Sequence, residues 1–279
     1  MLLSDARLPQ DLLYKLNHLS LCFGYDNNEK GTLPFDFFHK VPNLEELVVE
    51  NCFGLKEIFP SQKLQVHDPV LVRLKELFLL QLNELDWVGL EHPWVQPYSE
   101  KLELLVLCNC PQVEKIVYFA VSFINLKQLY VKLCEKMEYL FTFTTLKSLV
   151  KLESLAVEEC ESIKEIAKNE DEDEDEDEDG CNEIVFGRLR VIKLNCLPSL
   201  VSFYSGNATL RCSCLKIVKV IECSHMKTFS EGVIKAPALL GIQTSEDIDL
   251  TFDSDLNTTI QRLFHQQVTL HSPNSIVMF

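Results

Sequence analysis

A chain of 279 residues, 47% of them hydrophobic, is long and apolar enough to bury a large core, which excludes a polypeptide disordered throughout. Its formal charge of −16 argues against nucleic acid as the main partner, because phosphate contacts need a basic stripe. Ten of those charges form one unbroken run, residues 170–179, so the rest of the chain carries −6.

At the amino terminus, Asp5 and Arg7 stand where a secretory signal needs an unbroken apolar stretch, and no run of about eighteen apolar residues follows anywhere. Neither secretion nor a membrane span is expected, and the compartment read from this is cytosolic or nuclear. The eleven cysteines are an odd number in a long chain and lack a CxxC…CxxC spacing, which fits reduced thiols. Asn207 and Asn257 head N-x-T sequons, a short pattern that chance often supplies and that matters only outside the cytosol.

One pattern recurs down the chain: L-x-x-L-x-[VL]-x-x-[CL]-x-x-[LIVM], followed by a further apolar residue. Its copies start at Leu16, Leu44, Leu74, Leu102, Leu126, Leu152, Leu189 and Leu215, with a degenerate copy at Leu239. Most starts lie 24 to 30 residues apart, the length of one leucine-rich repeat per turn of a horseshoe. The step from Leu152 to Leu189 is 37 residues and contains the acidic run, so residues 168–182 read as a disordered acidic insertion looped out of one turn. The fold class expected is an α/β repeat, a leucine-rich-repeat solenoid. It carries one parallel strand per repeat on the concave face and an irregular, 3-10 or short helical convex side. About eight repeats make a single domain over residues 1–279, closed by an amphipathic capping helix over 255–266 behind Asp255 or Asn257. The amino-terminal edge has little polar capping material of its own.

Within each repeat the L-x-L core is a short strand whose alternate side chains point inward, and stacked turns share one core because no single repeat can bury its own face. Cys52, Cys110, Cys134, Cys160 and Cys223 occupy the repeat position that leucine fills at Leu82 and Leu197, which makes them small core thiols and not ligands. The residues between the inward ones face the concave surface. The candidate protein-binding stripe there is Glu46, Val48, Glu50, Glu76, Phe78, Leu80, Leu104, Val106, Gln128, Tyr130, Lys132, Lys193 and Lys219. Its centre, Phe78, Leu80, Leu104, Val106 and Tyr130, is expected to form an exposed apolar patch of the kind that marks contact sites, with carboxylates on one flank and lysines on the other.

No enzyme is expected. The seven histidines are scattered without HExxH or paired Cys-His spacing, and there is neither a GxSxG elbow nor a GxGxxG loop. No cofactor and no metal is expected. Cys108-x-Cys110 and Cys212-x-Cys214 read as two thiols on one strand face each, but about a hundred residues separate the doublets. Trp87 and Trp94 bracket an irregular loop over 86–98, read as a turn over the convex side.

The repeats LEELVVENCFGLKEI at 44–58 and LESLAVEECESIKEI at 152–166, the acidic insertion, and DLNTTIQRLF at 255–264 resemble the leucine-rich-repeat domain of plant intracellular nucleotide-binding resistance proteins of the coiled-coil class. That resemblance implies a role in defence recognition and self-inhibition. The protein partner implied is a pathogen effector, a guarded host protein, or the receptor's own nucleotide-binding domain. The GxxxxGK[ST] phosphate loop of that family has no counterpart here, so nucleotide binding carries over to no residue, and the chain reads as a fragment. An alternative is the substrate-recognition part of a ubiquitin-ligase adaptor built on leucine-rich repeats, which an F-box segment would signal.

Overall fold

The computed structural model describes residues 9–22, 33, 35–59, 71–90, 95–117, 121–169, 183–244, 250–251 and 255–270. The acidic run, Trp94 and the first eight residues lie outside them. In chain order the strands begin with β1 (His18–Cys22), β2 (Glu46–Glu50), β3 (Glu76–Leu80), β4 (Leu104–Cys108), β5 (Gln128–Lys132), β6 (Phe141–Thr142), β7 (Ser154–Glu158) and β8 (Glu165–Lys168). They continue with β9 (Glu183–Val185), β10 (Val191–Asn195), β11 (Ser202–Tyr204), β12 (Thr209–Arg211), β13 (Ile217–Ile221), β14 (Ile234–Lys235), β15 (Gly241–Gln243) and β16 (Leu250–Thr251). Helices are few among the described residues: α1 (Gln10–Leu13), α2 (Phe35–Phe38), α3 (Gln96–Ser99), α4 (Phe143–Ser148) and α5 (Leu256–Leu270).

The molecule is a stacked solenoid of about seven turns. Strands β1, β2, β3, β4, β5, β7, β10, β13 and β15 pair in parallel, in that order, and β16 closes the ten-stranded sheet antiparallel to β15. Opposite it, the turns of the carboxyl-terminal half carry two short three-stranded parallel sheets, β6-β8-β11 and β9-β12-β14. The inward leucines account for the stacking. Leu77, Leu105, Leu129 and Leu155 are direct partners across β3, β4, β5 and β7, and each is at most 1% exposed. Leu44, Leu74, Leu102, Leu126, Leu152, Leu189 and Leu215, the first leucines of their repeats, join the same core.

A feature without a sequence signature ends most of these strands. The residue after the strand adopts a left-handed backbone at Asn51, Gln81, Asn109, Leu133, Glu159, Cys196 and Glu222, with φ between 51° and 57°. Asparagine tolerates that region, whereas leucine or glutamate there costs about 1–2 kcal/mol. At six of the seven, Asn51 to Cys196, the conformation persists because the N–H extends the ladder: Gln81 donates to the Cys108 carbonyl at 2.8 Å and Asn109 to that of Lys132 at 2.9 Å. The same twist turns the following side chain into the core.

The repeat cysteines occupy that following position. Cys52, Cys110, Cys134, Cys160 and Cys223 are buried, and their thiols donate back to strand carbonyls, at 3.3 Å from Cys52 to Glu50, from Cys160 to Glu158 and from Cys223 to Ile221. Burial pushes the Cys110, Cys212 and Cys223 thiols up to about 12. These thiols are therefore neutral in the folded chain and ionise in the unfolded one from about pH 9 upward, so their folded pKa is raised. Their stabilising contribution is complete below pH 9 and is lost as pH climbs from about 9 towards 12, by up to about 1.4 kcal/mol per unit for each thiol. A midpoint for urea unfolding that stayed constant over that window would contradict this.

The doublets differ from the expectation of a shared face. Cys108 is half-buried on the concave surface while Cys110 is in the core, and Cys212 is buried while Cys214 is exposed. Left-handed Asn109 breaks the alternation between the first two. At the carboxyl end, Asp255 caps α5, its Oδ1 accepting from the Thr258 backbone N–H at 2.9 Å. Leu256 and Ile260 are buried against the last turns. The Asn257 side chain meets the backbone edge of the preceding turn: Oδ1 accepts from the Phe229 and Ser230 N–H groups at 3.0 Å and Nδ2 donates to the Ser230 carbonyl at 2.7 Å. The Asn257 sequon thus has its amide already engaged.

Candidate functional site

Because strand side chains alternate, the parallel register lays the concave residues in three rows across the turns. The first row runs His18, Glu46, Glu76, Leu104, Gln128, Ser154, Val191 and Ile217. The middle row runs Ser20, Val48, Phe78, Val106, Tyr130, Ala156, Lys193 and Lys219. The third runs Cys22, Glu50, Leu80, Cys108, Lys132, Glu158, Asn195 and Ile221. All thirteen candidate stripe residues fall in these rows.

Phe78, Val106 and Tyr130 are successive partners in the middle row, with Leu80 and Leu104 beside them. At a strand spacing of about 4.8 Å, Phe78 and Tyr130 flank Val106 on the two adjacent strands. The patch is half-buried and not openly exposed as the sequence suggested; Gln128 is the one candidate in the open. Burial, and then the nearby Glu158 carboxylate, raises the Tyr130 phenol above its ordinary value, so at neutral pH the ring presents a neutral hydroxyl.

The flanking charges are organised by pairs that sequence reading missed. Glu158, only 8% exposed, holds Lys193 at 2.7 Å, and Glu159 holds Lys132 at 2.8 Å. The hydrogen bond to Glu159 raises the Lys132 ammonium's pKa. At the other end of the face, His18 Nδ1 lies 2.9 Å from Glu46. Along one rim, the residue before each strand forms a further row, Glu45, Lys75, Glu103, Lys127, Glu153, Arg190 and Lys216, joined turn to turn by backbone hydrogen bonds. Lys75 pairs with Glu45 at 2.9 Å and Lys127 with Glu103 at 2.6 Å. The signal for this row was an acid or a base at one fixed repeat position, alternating from copy to copy.

Among the described residues no group of three or more histidines, cysteines or carboxylates is placed to hold a metal ion, and no helix is long and apolar enough to cross a membrane. What the geometry offers is a rigid ribbed surface, apolar and aromatic at its centre, acidic towards β1 and basic towards β13. Fold and face together define a leucine-rich-repeat solenoid.

The family described as plant disease resistance protein RPS2-like, leucine-rich repeats, matches residues 4–122 and 118–236, and the chain belongs to that family. Among solved structures the chain is similar to the leucine-rich repeat domain of the type III effector XopL. The match has 16% identity and a TM-score of 0.46, and covers 80% of this chain and 77% of that one. No curated protein matches the chain. Leucine-rich-repeat domains are in general protein-interaction modules without catalytic activity, and protein recognition is the role that the family supports.

Proposed function

We propose that this chain is the recognition and regulatory leucine-rich-repeat region of a plant immune receptor, acting in the cytosol or nucleus and without catalysis. Its concave face grips a protein: a pathogen effector, a guarded host protein, or the receptor's own nucleotide-binding domain. The observation that carries the reading is the register-aligned Phe78–Val106–Tyr130 row on a stiff parallel sheet. Aromatic anchors fixed by a rigid scaffold lose little conformational entropy on binding and are enriched among the residues that dominate interface energies. Membership of the resistance family favours a receptor over a ubiquitin-ligase adaptor.

The test is the double substitution Phe78→Ala with Tyr130→Ala in the full chain. For the protein partner recovered from plant cells and then purified, calorimetry should show affinity weakened about tenfold or more. Unchanged affinity alongside an unchanged melting curve would falsify the assignment of this face.

A further inference from the structure

The end of the concave face formed by β10 and β13 has a charge unlike the rest of the molecule. Residues 184–221 contain no aspartate or glutamate and six basic side chains, in a chain of net charge −16. One of the six, Arg211, is bound to Glu183 at 2.8 Å beside the opposite sheet. Of the others, Lys193 and Lys219 stand in the middle row of the concave face and Arg190 and Lys216 on its rim.

Lys219 is the direct cross-strand partner of Lys193, and the Lys216 N–H donates to the Arg190 carbonyl at 2.9 Å, which sets these two basic residues on adjacent turns of the rim. Like charges placed directly opposite on neighbouring strands destabilise a sheet. Along the first turns the rim avoids this by alternating sign, and here the alternation stops. Among the described residues Arg190, Lys216 and Lys219 have no ion-pair partner, while Lys193 has Glu158 alone. Half-buried Val191 and Ile217 lie in the same two strands, and the middle row leads from Lys193 back to Tyr130 through Ala156.

We infer that the β10–β13 end of the concave face docks an acidic segment of a partner protein. Its carboxylates lie over Arg190, Lys193, Lys216 and Lys219, and an aliphatic or aromatic side chain between them rests on Val191 and Ile217. This inference rests on the reading of the concave face as a recognition surface and specifies the chemistry of what it recognises. A nucleic acid fits worse. The basic ground spans two turns, about 5 Å between strands, and a phosphate backbone continuing along the face would meet Glu158 and then Glu76, Glu46 and Glu50. A short acidic peptide needs only local neutralisation, and its apolar side chain uses a surface that phosphates cannot.

The probe is a fluorescein-labelled synthetic peptide with alternating Asp and Glu around a central Phe, followed by anisotropy on the full chain. Binding should weaken as salt rises, and the triple variant R190E/K216E/K219E should weaken it about tenfold or more with an unchanged melting temperature. Lys193 is left intact in that variant because removing it strands the buried Glu158. A peptide with Lys in place of its acids should not bind. Unchanged affinity in the triple variant, or equal affinity for a single-stranded oligonucleotide of the same charge, overturns the inference. So does peptide binding seen only after the chain's own acids at 170–179 are replaced by Ser and Gly, since that makes the run the occupant. Partner binding lost on changing Phe78 and Tyr130 but kept in the triple variant sinks the acidic-segment inference and leaves the recognition reading standing.

Discussion

Leu129→Ala is expected to lower the unfolding free energy by about 3–5 kcal/mol, the largest effect of any single substitution considered for this chain. Leu129 is 1% exposed and stands between Leu105 and Leu155 in the register, so truncation leaves a cavity walled by two neighbouring turns that are themselves pinned by their ladders. A rigid wall collapses poorly, which places the cost in the upper part of the usual range. In a solenoid each turn touches only its neighbours, so the damage should be local. Hydrogen exchange should show protection lost in β4, β5 and β7 and retained in β1 and β13. A loss below about 1 kcal/mol, or a loss of protection spread evenly over all strands, would contradict the one-dimensional packing described above.

Gly89→Ala should cost about 3 kcal/mol from a different source. Gly89 has φ +80°, and a Cβ added there would lie 2.3 Å from the Phe59 carbonyl oxygen. The left-handed backbone alone costs an alanine about 1–2 kcal/mol, and the overlap adds about as much again. Relief by movement is closed off, because Phe59 is tied to the same segment through its N–H, which donates to the Val88 carbonyl at 3.1 Å. Gly187→Ala is the matched control. Its backbone lies outside the left-handed region and the nearest atom to a new Cβ, the Val150 carbonyl oxygen, is 3.9 Å away, so that change should be neutral or slightly stabilising. Equal thermal melting shifts for the two variants would refute the close-approach argument for Gly89.

The charge arrangement differs between the two ends of the same sheet. Where the rim alternates, as at Glu45, Lys75, Glu103 and Lys127, each turn offsets the field of the next and the surface stays electrostatically quiet. Where it stops alternating, at Arg190 and Lys216 beside Lys193 and Lys219, repulsion remains that a bound anion would relieve. Local conflict of this kind in an otherwise consistent fold is the signature expected of a functional surface.

What the amino-acid order determined by itself was the period. Leucines recurring at fixed offsets, with starts at Leu44, Leu74, Leu102, Leu126 and Leu152, dictate inward and outward faces because side-chain direction in a strand alternates over two residues, a rule that needs no knowledge of neighbours. The same local rule identified the core cysteines and placed Phe78, Val106 and Tyr130 on one face. Tertiary structure alone decided the rest. The left-handed residues at Gln81, Leu133 and Glu159 carry no turn chemistry of their own and are imposed by the carbonyl each must reach on the next turn. The grip of Glu158 on Lys193 and of Glu159 on Lys132 joins residues 27 or more positions apart, and the side sheets β6-β8-β11 and β9-β12-β14 join segments 24 to 37 positions apart. Such contacts depend on how successive turns align, which stacking sets and a single repeat cannot reveal.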